Sequence, residues 1–198
     1  MSPRYRAFFF TRSTLFGLLA AFFVSGGVVG FVTYLGAWLV RDRGVPLTSV
    51  GLLFTAAALA SLVVAPLAGL LVDRVGKRPV ALVTSVALGV SFLIVPAVGW
   101  GIPMFVAFGL VAFAAAFRQG ALSALITELV ETEHRGGYVA VRNSASQLGI
   151  AAAAWIGGSV YESAGFGGIA IVSAVMSVLA AICIMGIDEP EIIIGGHR

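Results

Sequence analysis

Between Leu15 and Val40 the chain carries no charged side chain. A helix of that length, rising about 1.5 Å per residue, is long enough to cross the ~30 Å hydrocarbon core of a bilayer. Comparable runs follow, among them "ALVTSVALGVSFLIVPAVGW", which is apolar on every side. Strands of a membrane barrel alternate in polarity over about 10 residues, so these runs read as helices. The composition agrees: 60% of residues are hydrophobic and only 11% charged, with a mean hydropathy of +1.05. Such a chain needs a lipid bilayer as the solvent for most of its surface.

With 198 residues and about 20 per crossing, the chain has room for six spans joined by tight loops. Charges, glycines and prolines divide it at about 14–40, 48–71, 79–98, 102–127, 139–161 and 166–187. The expected fold class is therefore an all-α polytopic membrane protein, one six-helix domain over residues 1–198. The basic leader "MSPRYRAFFFTR" precedes an apolar run too long for a signal core, so the first run is expected to stay as a span.

An even number of spans puts both termini on one side. Arg4, Arg6, Arg12, Arg74, Lys77, Arg78, Arg135, Arg142 and Arg198 fall on that side, against Arg41 and Arg43 opposite. The positive-inside rule then places both termini in the cytoplasm, in a plasma membrane. The net charge of +3 means little beside this distribution, and no nucleic-acid partner is expected. Cys183 is the only cysteine, and His134 and His197 fall outside the spans, so neither a disulfide nor a metal site is expected. No cofactor is expected either.

Topology does not account for the spacing within "GLLVDRVGKRPV". Gly69 and Asp73, four apart, share one helix face, where the glycine admits a neighbouring helix and the acid can meet that neighbour's amino end. Gly76 suits a tight reversal, and Pro79 suits the first turn of the next helix. Gly69-x-x-x-Asp73-Arg74-x-Gly76-Lys77-Arg78 resembles the signature loop between the second and third helices of a major facilitator superfamily (MFS) half, with Lys77 a mild departure. The resemblance implies a transporter working by alternating access. It implies that Asp73 docks against a helix of the other half, and that Glu128 pairs with the loop's bases.

Two other motifs of that family are degraded. Arg118 stands two residues before Gly120 instead of four, and Gly149-x-x-x-Ala153-Ala154-x-x-Gly157-Gly158 resembles an exporter motif with Ala replacing Gly and Pro. On its own, the stripe Ala145, Gly149, Ala153, Gly157 lets another backbone approach, either as plain packing or as a sliding contact. Arg118 lies about 15 Å along the helix from Glu128, near mid-bilayer, where a cation costs at least ~2.5 kcal/mol. It either lines a solute pathway with Gln119 and attracts an anionic solute, or ties helices together through backbone carbonyls. No carboxylate falls in mid-span, so no coupling ion is indicated, while Asp42, Glu162, Glu131 and Glu133 lie at helix ends or in loops. The motifs of water channels, intramembrane serine proteases and phosphate-binding loops are missing, so an enzyme is not expected.

In the MFS the substrate path lies between two six-helix halves related by an axis along the membrane normal. A single half with both ends inside can meet an identical copy, so the expectation is a homodimeric half-size carrier of a small solute. A fragment of a twelve-helix carrier, its second half, and a non-transporting partner subunit stand as alternatives. The initial Met and the lack of a long linker favour a complete half.

Overall fold

A computed structural model describes residues 11–128 and 132–187; the side chains of 126–128 and 132 lie outside the described set. Among the described residues, five helices are long and apolar enough to cross a membrane. They are α1 (Arg12–Arg41), α2 (Leu47–Val75), α3 (Lys77–Ile94), α4 (Ile102–Glu128) and α5 (Arg135–Met185). The first four lie close to the spans expected from hydropathy.

Local chemistry explains their ends. Thr11 caps α1, its hydroxyl accepting from the Thr14 amide at 3.3 Å. Pro46 precedes α2, and Pro66 within it removes the bond its amide would have made to Leu62. Gly76, at φ 102°, ends α2 and starts α3 in a single step, a conformation that a residue with a Cβ adopts only under strain.

The two last spans read from the sequence, 139–161 and 166–187, both lie within α5, two helices joined without a loop. Gly165 interrupts it with φ 63° and ψ −164°, and the chain doubles back there. Near the start of α5, Tyr138 Oη donates to the Thr14 carbonyl at 2.9 Å; just past its end, a Cβ on Gly186 would press on the Phe16 ring. Further along α1, a Cβ on Gly26 would lie 2.7 Å from the Gly149 oxygen and 3.3 Å from Met176 Sδ. Residues before and after Gly165 thus run side by side along α1 as two arms. The turn needs no loop because Gly165 tolerates positive φ.

α1 packs chiefly on both arms, α3 on α4 and the second arm, and α2 on α4. The core forms two clusters, one around Phe31, Leu35, Phe92, Met104 and Phe166, the other around Ala20, Leu122, Leu125, Tyr138 and Ile184. Arg12, Arg74, Lys77, Arg78 and Arg135 gather at the end of the bundle where the second cluster lies.

Candidate functional site

α2 buries Val50, Leu53, Ala57, Val64, Ala68 and Val72. At 100° per residue, Gly51, Thr55, Leu62, Pro66, Gly69 and Asp73 fall on the opposite side, and all six are exposed. Nothing lies within 4 Å of where a Cβ on Gly69 would sit. Asp73 thus points away from its own bundle, in the last turn of α2, where the helix dipole disfavours an acid by ~0.3–1 kcal/mol. No ion pair or hydrogen bond compensates it among the described residues.

The bases beside it are placed differently. Arg78 donates to the Met185 carbonyl, a cation satisfying the free carbonyl end of the second arm. Arg74 is exposed, and Lys77 is half-buried at the start of α3. Glu128, expected to pair with this loop, ends α4, but its side chain lies outside the described residues. Glu131, His197, Arg4, Arg6 and Arg198 lie outside them too.

The small-residue stripe on the first arm meets α1. A Cβ on Gly149 would collide with the Phe22 carbonyl, and one on Gly157 with the Tyr34 ring. Ala153 is buried between these contacts and faces Gly30. Gly158 sits on the margin, a Cβ there lying 3.9 Å from Tyr34 Oη. α1 answers with its own small residues, Gly26, Gly27 and Gly30, a signal readable in "SGGVVG" that the sequence reading passed over. Tyr34 Oη donates to the Ala154 carbonyl at 3.0 Å, locking the crossing with a polar bond.

Beyond it lies an aromatic group that hydropathy does not distinguish from any other apolar run. Trp38 stacks on Phe166 with centroids 4.5 Å apart, and Phe31 lies against both Phe92 (4.4 Å) and Phe166 (5.1 Å). Asp42, read as a solvated helix end, accepts from Tyr161 Oη at 2.8 Å, tying the end of α1 to the Gly165 turn.

Arg118 and Gln119, expected to share one pathway, diverge because adjacent helical residues point about 100° apart. Arg118 is 1% exposed; its guanidinium donates to the Val24 carbonyl at 3.5 Å and Ser177 Oγ at 3.4 Å. Its Nε has no partner, and no carboxylate neutralises it among the described residues. The carbonyl tie is the arrangement seen, while Gln119 is exposed on the other side of α4.

Among the described residues no group of three or more His, Cys, Asp or Glu could hold a metal. The family model described as Major Facilitator Superfamily matches residues 17–193. No curated protein matches the chain.

Proposed function

Because this chain belongs to the Major Facilitator Superfamily, a family of membrane transporters, we propose that it is a half-size carrier working by alternating access as a homodimer. The observation that carries this reading is the outward aim of Asp73 and Gly69 on a face of α2 with no partner among the described residues. An acid held against its own helix dipole is stabilised when the amino end of another helix supplies N–H groups and positive charge. A second copy in the same orientation provides such a helix under two-fold symmetry.

In this reading the Gly165 turn makes α5 two crossings, giving six in all. The basic end then lies in the cytoplasm of a cell whose plasma membrane holds the protein, with both termini inside. Asp73, Arg74, Gly76, Lys77, Arg78 and Glu128 act as the conformational switch. Arg118 reaches the solute path only in a state where α1 and the second arm part, which breaks its two long bonds. The stripe Gly149, Ala153, Gly157 and Gly158 then serves as the fixed crossing inside each half. In a longer chain the same α2 face would meet a following half, and beside a different subunit it would meet that subunit.

The test places cysteine at Gly69 in a Cys183→Ser background and applies a short bis-maleimide to the protein in liposomes. A cross-linked species of twice the chain mass is expected. A strictly monomeric protein that still moves solute overturns the homodimer.

A further inference from the structure

Arg142 sits eight residues into α5, about 10 Å along its axis from Arg135. Seven residues before Gly149, it shares the side of the first arm that packs on α1, so its side chain turns into the bundle. It is half-buried and crosses to α4, where Nη2 donates to Ser123 Oγ at 3.5 Å, the far limit of a hydrogen bond. Its Nε is buried without a partner. No carboxylate pairs with it among the described residues. Its other charged neighbours in sequence, Glu133 and Arg135, lie at or before the start of α5, about two turns away.

Four residues before Ser123, one turn along the same side of α4, Gln119 is exposed. Toward the far end of α4 the same side carries Ala112, Ala115 and Ala116, half-buried against the core, and then Phe108 and Phe105.

A guanidinium has five donors in a planar fork suited to an oxyanion, and here one donor is spent on a neutral hydroxyl at long range. Bonds from a cation to an anionic oxygen are about twice as strong as neutral ones. A cation needed only for topology would extend to water at the helix end, whereas this one turns inward. Arg118, by contrast, already has a carbonyl and a hydroxyl and no exposure. We infer that the cleft between α4 and the first arm, lined by Gln119, Ser123 and Arg142, binds a small oxyanion solute, with Arg142 the group that meets its charge. This rests on the carrier reading and names the substrate class for it.

The test needs no knowledge of the solute. In a Cys183→Ser background, Gln119→Cys protein in phosphatidylcholine liposomes is treated with methanethiosulfonates bearing either a sulfonate or a trimethylammonium group. Each rate is divided by that reagent's rate with a free thiol. The sulfonate reagent is expected to react at least about tenfold faster, as clefts lined by one charge concentrate counter-ions by that much. Arg142→Gln should erase the preference, and Arg142→Lys should keep part of it. Equal rates, or a preference surviving Arg142→Gln, overturns the inference and leaves the carrier reading standing. No reaction with either reagent, in protein that elutes as a single folded species, means water does not reach the cleft and sinks both. In liposomes with phosphatidylglycerol the preference should persist; its loss there, alone, assigns the cleft to a lipid headgroup and overturns the solute.

Discussion

The two flanks of the bundle use their polar residues in opposite ways. On α3 and the second arm of α5 every exposed helical side chain is apolar, including Val83, Val86, Val90, Ile171, Val175 and Ile182. Four of the polar residues there, Ser85, Ser91, Ser173 and Ser177, are turned inward, and a groove of about 500 Å³ between the two elements is lined by Leu82, Val83, Val86, Ala87, Ala181 and Met185. On the other flank, α2, the edge of α4 and the first arm expose Thr55, Asp73, Gln119, Asn143, Ser144 and Gln147. A lipid-facing amide has nothing to bond, so the first flank suits hydrocarbon, whereas the second, which also exposes Leu62, Val63, Leu67 and Trp155, adds polar groups for water, a solute or another protein.

The largest expected effect comes from the crossing that joins these flanks. Gly149→Ala drives a methyl into the Phe22 carbonyl and should cost about 3 kcal/mol, read as a loss of thermal stability in detergent. A variant as stable as the parent would mean that α1 and the first arm are not in backbone contact. Next, Val90→Asn puts an amide on the apolar flank and should cost about 2 kcal/mol, while Gln119→Leu on the other flank should leave stability unchanged. Equal effects at the two positions would erase the distinction between the flanks.

Arg118→Met sharpens it from inside. Replacing a buried cation that lacks a carboxylate with an apolar side chain of similar length should leave the melting temperature unchanged or raised. A drop corresponding to ~1–3 kcal/mol would instead make its two bonds a net structural tie. Asp73→Asn is also expected to stay within ~0.5 kcal/mol, because no hydrogen bond or ion pair holds the carboxylate among the described residues. The same substitution should slow solute movement in liposomes more than it lowers the yield of cross-linked dimer from Gly69→Cys, and an unchanged transport rate would detach Asp73 from the conformational switch.

Much of this was legible along the chain. The first four helices follow hydropathy and its breaks, and Gly76 was readable as a reversal because only glycine takes its positive φ readily. The first arm's stripe was readable as a close crossing, although its partner stripe Gly26, Gly27 and Gly30 was equally visible and went unread. The break read between residues 161 and 166 falls where Gly165 turns the chain; that the turn takes no loop was not legible, since a glycine at a helix end and one bridging two helices look alike in sequence. Nor was the divergence of Arg118 from Gln119 weighed, since the two were read as one pair and not as neighbours on a helix.

By itself the sequence determined which segments leave water, because burying about 20 apolar residues in hydrocarbon outweighs any local preference. It also determined the loop at Asp73, whose residue types are tied to backbone geometry and charge. Which face of each helix turns inward was decided only by the tertiary structure. Lipid solvates a leucine as well as a protein interior does, so hydrophobicity cannot choose between them. Backbone contact at glycines and the satisfaction of a few polar groups made that choice, and both depend on residues far apart in the chain.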